Sequence, residues 1–147
     1  CALPIFGDEA AFASDLPPTG RCSAPLPVVE DGLVEFDTFR CAATTVVHPL
    51  GVVAEPGCVI TVVASHTILT APAPATGRIR VALDGRVILD WEAAIPGPAD
   101  LATARVEVDE RVEAQALLGV HVSNHGANNW RLVSVTVSEC ERAGSER

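Results

Sequence analysis

The sequence predicts an all-β protein: a two-sheet antiparallel sandwich of about eight strands behind an extended N-terminal arm. Three observations support this fold class. Apolar and polar residues alternate over most of the chain after residue 30, a period-two pattern typical of strands. Turn residues such as Gly, Pro, Asn and Asp separate these runs. Hydrophobic residues make up 48% of the chain but aromatic residues only 4%, so the core must be built from aliphatic side chains, which suit a pleated sheet.

The chain divides into an arm, one domain and a tail. Residues 1–30 carry five scattered prolines, and prolines at this density prevent a continuous helix and favour extended backbone. We therefore predict a flexible Pro-rich arm over 1–30, a β-sandwich domain over 31–140 and a polar C-terminal tail over 141–147. A chain of 147 residues is long enough to bury one hydrophobic core.

Eight β-like segments are predicted within the sandwich domain. The first bends near Cys41, and the alternation in the seventh is sustained too long for a helix. Eight antiparallel strands of this length fit a jelly roll, with an immunoglobulin-like sandwich as the alternative. The segments are 33–47, 57–64, 66–70, 78–83, 86–91, 103–108, 112–123 and 129–140.

Two hairpins are predicted from turn residues. Asp84-Gly85 is the stronger signal, because an Asp-Gly pair favours a type I′ turn in which glycine accepts a positive φ. Asp109-Glu110 has the position of a second hairpin tip, between two alternating runs. Alternation along the first strand of the Asp-Gly hairpin predicts three core residues and two outward arginines: Ile79, Val81 and Leu83, then Arg78 and Arg80.

The charge of the chain limits its partners. The net charge is −9, and such a chain repels the phosphate backbone that supplies most nucleic-acid affinity, so no nucleic-acid partner is expected. All ten basic residues are arginine, which excludes Schiff-base lysine chemistry and a P-loop lysine. No apolar run has the roughly 18 residues needed to cross a bilayer.

Five cysteines indicate an oxidising compartment. None forms a CxxC pair, so metal binding is disfavoured and disulfides are expected. Four of the cysteines allow three pairings; we prefer Cys41 with Cys58 and Cys22 with Cys140. The alternative is that they are reduced thiols of a cytosolic protein.

Cys1 is the odd cysteine. A mature chain that begins with Cys resembles a bacterial lipoprotein, and that resemblance implies a lipid on the Cys1 thiol with the following segment as a tether. Membrane contact is expected only through such a lipid. An intermolecular disulfide and an inert terminal thiol are the two alternatives.

No motif for catalysis is found, so the chain is predicted to be no enzyme and to hold no cofactor or metal. His121 and His125 have the spacing of metal ligands on a helix, but on a strand four residues span about 13 Å. Ser65 and His66 are adjacent, and adjacent strand residues point to opposite faces, so they cannot act as nucleophile and base. A GxSxG elbow is absent from the sequence.

The richest polar cluster is SNHGANNW, residues 123–130. It resembles the closing strands of carbohydrate-binding β-sandwiches and galactose-binding-like domains, in which amides and an aromatic platform meet a sugar. That resemblance implies ligand contacts from one set of side chains: His121, Asn124, His125, Asn128, Asn129 and Trp130. The structural alternative is that the amides form a turn and Trp130 closes the end of the sandwich.

The arm and the cysteines together resemble subunits of extracellular fibres and appendages, in which an arm docks on a neighbouring copy and disulfides lock it. The leading hypothesis is therefore a non-enzymatic exported structural or adhesive surface protein that assembles with copies of itself. A carbohydrate-binding module that binds surface glycans through 123–130 is the first alternative, and a lipid-anchored lipoprotein of unknown ligand is the second. The expected location is extracellular or at the cell surface, or periplasmic for the lipoprotein.

Overall fold

The computed structural model describes residues 28–30, 33–38, 42–138 and 140. Most of the predicted arm, the predicted tail and three cysteines, Cys1, Cys22 and Cys41, lie outside these residues. The last three residues assigned to the arm, Val28–Glu30, form a short strand that pairs with the next one. No helix long and apolar enough to span a membrane occurs in the described ranges.

The described part of the chain contains nine strands. They form a five-stranded sheet, in the order β1-β2-β9-β4-β7, and a four-stranded sheet, in the order β3-β8-β5-β6. All pairings between neighbours are antiparallel. The strands are β1 (Val28–Glu30), β2 (Leu33–Asp37), β3 (Ala43–Pro49), β4 (Val59–His66), β5 (Ala75–Leu83), β6 (Arg86–Ile95), β7 (Asp100–Glu107), β8 (Leu117–Ser123) and β9 (Asn129–Val137).

The predicted fold class is confirmed. Apart from β5 and β6, which form a hairpin, and β1 and β2, the chain changes sheet at every connection. The resulting order, β2-β9-β4-β7 against β3-β8-β5-β6, is that of a jelly roll, the first of the two predicted topologies. The Asp-Gly hairpin joins β5 to β6, and both turn residues have positive φ, 45° at Asp84 and 80° at Gly85, as a type I′ turn requires.

Two predicted elements are wrong. The segment 112–123 is a strand only from Leu117, because Val112 instead bridges Ala54 and the intervening residues turn. Asp109-Glu110 is no hairpin tip: β7 and β8 belong to different sheets, and 108–116 crosses from one to the other. The alternation is nevertheless real, because apolar side chains on this crossing segment still face the interior.

Two other segments differ in their bounds. The predicted strand 33–47 is two strands, β2 and β3, which lie in different sheets. The predicted strand 66–70 is not separate: β4 continues through His66, and beyond it Leu69 pairs in isolation with Gly97.

The core lies between the two sheets and consists mainly of aliphatic residues. Ile60 and Val62 of β4 and Val120 and Val122 of β8 belong to this core, and all four are almost fully buried. Ile79 and Val81 of β5 are buried as predicted, while Leu83 is half-buried. Full burial of side chains of this size stabilises a fold by roughly 1.5–3 kcal/mol each.

One disulfide joins Cys58 to Cys140. Cys58 precedes β4 and Cys140 follows β9, two neighbouring strands of the five-stranded sheet. The preferred pairings, Cys41 with Cys58 and Cys22 with Cys140, are therefore wrong for these two cysteines. Local strand order could not reveal this, because β4 and β9 are far apart in sequence and become neighbours only in the sheet.

Candidate functional site

The connections between strands lie at the two ends of the sandwich. We call the end formed by 67–74, 96–99 and 124–128 the loop end, because it contains most of the predicted ligand loop. We call the opposite end, formed by 50–58, 84–85 and 108–116, the hairpin end. Each end contains one candidate site.

The buried side chain of Asn128 links several segments of the loop end by hydrogen bonds. Its Oδ1 accepts a hydrogen bond from the Thr70 amide at 2.6 Å. Its Nδ2 donates to the Thr70 carbonyl at 3.1 Å and to the His125 carbonyl at 2.9 Å. The Asn128 amide group thus satisfies both the N–H and the carbonyl of Thr70, as a neighbouring strand would in a sheet.

Asn124 is buried beside it and connects three other groups. Its Nδ2 donates to Thr38 Oγ1 at 2.7 Å and to the Gly126 carbonyl at 2.9 Å. Its Oδ1 accepts the Trp130 indole N–H at 3.2 Å. Both amide side chains therefore use their hydrogen-bonding capacity within the protein, since buried polar groups must be satisfied.

Trp130 is fully buried, with 0% of its surface exposed. Its ring packs against Gly77 of β5, where a Cβ atom would lie only 2.6 Å from Trp130 Cζ2. His66 lies 4.8 Å from the Trp130 ring and stacks at 4.7 Å on Trp91, a half-buried residue of β6. In this structure Trp130 closes the end of the sandwich and offers no face to a sugar.

The structure does not gather the six predicted ligand side chains on one surface. His121 lies on β8 in the four-stranded sheet, where its Nδ1 and Thr45 Oγ1 are 2.8 Å apart. His125 is exposed, and Asn129 is half-buried with its Nδ2 donating to Glu35 Oε1 at 3.0 Å. Ligand binding by this set stays a prediction, and a ligand can reach the exposed His125 and the half-buried Asn129 without rearrangement.

The hairpin end contains a cleft of about 740 Å³. Its floor is apolar and is contributed by both sheets and by the crossing segment 108–116. Its rim carries five carboxylates, two arginines and one glutamine. The floor residues are Ile60, Leu83, Ile88, Val106, Val108, Val112 and Ala116, and the rim residues are Asp84, Arg86, Glu107, Asp109, Glu110, Arg111, Glu113 and Gln115.

One wall of the cleft is held by main-chain hydrogen bonds. The segment 108–116 pairs with 50–58: Ala54 and Val112 exchange two bonds, at 3.0 and 2.8 Å. The Val108 amide donates to the Cys58 carbonyl at 2.9 Å, beside the disulfide to Cys140. A non-strand segment fixed in this way keeps its shape without a ligand, which lowers the ordering cost of binding.

The opposite wall is the β5–β6 hairpin, which is fixed to the start of β8. The Asp84 amide donates to the Leu117 carbonyl at 2.8 Å, and the Leu117 amide donates to Asp84 Oδ1 at 2.6 Å. Arg86 Nη1 lies 3.8 Å from Asp109 Oδ2, so this exposed ion pair links the hairpin to the crossing segment. Hydrogen bonds to the main chain of Leu117 and the Arg86–Asp109 ion pair thus join the two walls.

Arg111 is the second arginine of the rim. Its Nε donates to Glu113 Oε1 at 2.7 Å, and its Nη1 donates to Glu55. The hydrogen bond to Glu113 raises the pKa of Arg111 above its ordinary value, and the charges of Glu113 and Glu55 add to this effect.

The chemistry of the cleft is that of recognition by contact and hydrogen bonding. Its volume falls within the roughly 300–1,000 Å³ of small-molecule sites, and an apolar floor with a polar rim is the usual composition of such sites. Among the described residues that line it, none is aromatic or histidine. No group of three or more His, Cys, Asp or Glu side chains suited to a metal ion occurs in the described ranges.

Sequence reasoning missed this cleft. The pattern of the sequence predicts only a hairpin tip at Asp109-Glu110. The one available signal was the clustering of acids and arginine in EVDERVE, residues 107–113, directly after a strand. That signal does not show which strands face the segment.

No protein-family model matches the chain. No curated protein matches it either. Among solved structures, one of CBM4 is 19% identical over 72% of this chain and 81% of that chain, with a TM-score of 0.41. The EclA C-terminal domain, a sugar-binding protein, is 17% identical over 90% of this chain and 99% of that chain, with a TM-score of 0.43. Likeness at this level concerns fold alone, so the functional argument rests on the side chains of this chain.

Proposed function

We propose that this domain is a non-enzymatic carbohydrate-binding module and that the cleft at the hairpin end is its binding site. The observation that carries this proposal is the cleft itself, with an apolar floor beneath paired carboxylates and guanidinium groups. A saccharide ring presents C–H groups on its faces and hydroxyls at its edge. The floor matches the faces, and the rim supplies strong charge-assisted acceptors and donors for the hydroxyls.

The charge of the rim limits which saccharides we expect to bind. Five carboxylates outnumber two arginines, so the rim is net negative. Like charges in contact cost affinity, and we therefore expect neutral or amine-bearing saccharides to bind in preference to uronic acids and sulfated sugars. Without an aromatic platform among the described lining residues, affinity comes from hydrogen bonds and aliphatic contact, which favours weak binding to a single saccharide unit.

We further propose that the protein acts outside the cytoplasm, where glycans are presented. The Cys58–Cys140 disulfide supports this location, because disulfides persist in oxidising compartments and are rare in reducing ones. Self-assembly through the arm and lipidation of Cys1 involve residues outside the described ranges and stay predictions.

Binding to an array of neutral, amino and acidic oligosaccharides tests the proposal. Val106→Trp fills the cleft from its half-buried floor, and Glu107→Gln removes one rim charge; both are expected to abolish or weaken the array signal. Glu92→Gln is the matched control, because Glu92 is exposed on β6 away from the cleft.

A second pair of variants tests the loop end. His125→Ala and Asn129→Ala change the two accessible members of the set predicted from the sequence. If they abolish binding while Val106→Trp does not, the site is at the loop end and the cleft assignment is wrong. If no saccharide binds the wild-type protein at all, the proposed function is wrong.

A further inference from the structure

Both arginines on the rim of the cleft at the hairpin end are already paired with carboxylates. Arg111 donates to Glu113 at 2.7 Å and, from a second nitrogen, to Glu55. Arg86 Nη1 lies 3.8 Å from Asp109 Oδ2. The positive charge of the rim is therefore neutralised within the protein, and an anionic ligand would have to displace a carboxylate to reach it.

The carboxylates of the rim, by contrast, are in excess. Asp84 is occupied, because its Oδ1 accepts the Leu117 amide at 2.6 Å. Glu107 and Glu110 are exposed, and within the described ranges neither has an ion-pair or hydrogen-bond partner. Glu107 ends β7, and Glu110 follows it in the crossing segment 108–116. The rim thus presents uncompensated negative charge beside the apolar floor.

The ion pair between Arg86 and Asp109 can be exchanged for a ligand. The two side chains are 69% and 70% exposed, and an exposed ion pair contributes little to stability. A cationic ligand can therefore replace the Arg86 guanidinium at Asp109 without leaving a buried charge unpaired. Asp109 adds a third carboxylate to the two that have no partner in the described part of the chain.

We propose that the cleft recognises an amine-bearing saccharide and that Glu107, Asp109 and Glu110 bind its ammonium group. This inference rests on the proposed function, in which the cleft binds a saccharide, and restricts it to one class of ligand. An amino sugar combines an apolar ring face, which matches the floor, with an ammonium group at the ring edge, which matches the rim. A carboxylate binds an ammonium group more strongly than a hydroxyl, because both partners are charged.

The charge of the whole chain acts in the same direction. A net charge of −9 raises the local concentration of cationic ligands and accelerates their association. This field attracts any cation, so selectivity for a saccharide must come from contact with the floor. Val106 and the other aliphatic floor residues supply that contact. Charge and ring contact are therefore two separate requirements, and each can be tested by itself.

Trimers of glucosamine and of N-acetylglucosamine test the inference, because they differ only at the nitrogen. NMR titration of the full chain at about pH 6, where aliphatic amines are protonated, gives the affinity for each one. We expect the glucosamine trimer to bind about three- to tenfold more tightly, the gain expected of one or two ion pairs at an exposed rim. Added salt should reduce this preference, because it screens exposed charges.

Three variants locate the ammonium site. Glu107→Gln/Glu110→Gln removes two charges at nearly constant side-chain size and should abolish the preference for the glucosamine trimer. Arg86→Gln releases Asp109 and should increase the preference, and damage to the cleft would not produce a change in that direction. Glu92→Gln removes an exposed charge on β6 away from the cleft and should leave the preference unchanged.

Three results overturn the inference. Equal affinity for the two trimers, or tighter binding of the acetylated one, shows that the carboxylates do not select the amine, although the proposed function stands. A preference that persists in Glu107→Gln/Glu110→Gln places the ammonium group elsewhere. Binding of spermidine, a cation without sugar rings, as tightly as the glucosamine trimer shows that charge alone is recognised. If neither trimer nor any other saccharide binds, the proposed function itself is wrong.

Discussion

Reduction of the Cys58–Cys140 disulfide is expected to lower the free energy of unfolding substantially. The two cysteines are separated by 82 positions, and the closed loop contains β4 through β9. In the chain-entropy model, closing a loop of this length lowers the conformational entropy of the unfolded state by about 15 cal/mol/K. This corresponds to a stabilisation of the folded state by about 4.5 kcal/mol at 25 °C. With a urea m-value of about 2 kcal/mol/M, the unfolding midpoint should fall by about 2 M.

The assay compares oxidised and reduced protein of one sequence. Replacing Cys1, Cys22 and Cys41 by serine leaves a single disulfide that can form, so thiol exchange does not complicate the comparison. Urea unfolding is then followed by tryptophan fluorescence with and without reductant. Because no core side chain changes, the difference reports the cross-link alone.

The reasoning is refuted if oxidised and reduced proteins differ by less than about 1 kcal/mol, since the chain-entropy model predicts about four times that value. A Cys58→Ala/Cys140→Ala variant provides a second check. Its stability should lie close to that of the reduced protein, lower only by the loss of the buried Cys58 thiol. A variant as stable as the oxidised protein would contradict the prediction.

Two further predictions concern the loop end. Gly77→Ala should lower the free energy of unfolding by about 1–3 kcal/mol through overpacking, because its Cβ would lie 2.6 Å from Trp130 Cζ2. Thermal unfolding measures this effect, with Thr76→Ala at the exposed neighbouring position as the control. The same Tm for both variants would contradict the prediction. Asn128→Ala should lower the free energy of unfolding by about 1–3 kcal/mol, since the Thr70 amide and carbonyl and the His125 carbonyl lose the hydrogen-bond partner that the buried Asn128 side chain supplies. Asn129→Ala is its matched control, and equal losses of unfolding free energy for the two variants would show that burial of the amide is not what matters.

Much of the fold could be predicted from local sequence. Alternation in β4, β5 and β6 follows directly from the pleat, and the Asp84-Gly85 turn follows from the conformational freedom of glycine. The bounds of the strand within 112–123 could not be predicted from local sequence. Alternating burial also occurs in a non-strand segment that crosses between two sheets with one side facing the interior.

The candidate site depended more heavily on tertiary structure. Asn124, Asn128 and Trp130 have the composition of a sugar site, and the sequence cannot show that they bond to one another instead of pointing outward. Burial decides between these roles: an amide in solvent is available to a ligand, while the same amide beneath a loop must satisfy main-chain groups.

By itself, the sequence predicted the all-β sandwich, the jelly roll as the first of two topologies and the main hairpin, because each depends on neighbouring residues or on composition. Only the tertiary structure decided that Cys58 meets Cys140, that 108–116 forms one wall of a cleft, and that Trp130 closes the opposite end. These three facts depend on contacts between residues distant in sequence, and such contacts are set by the order of the strands in the two sheets.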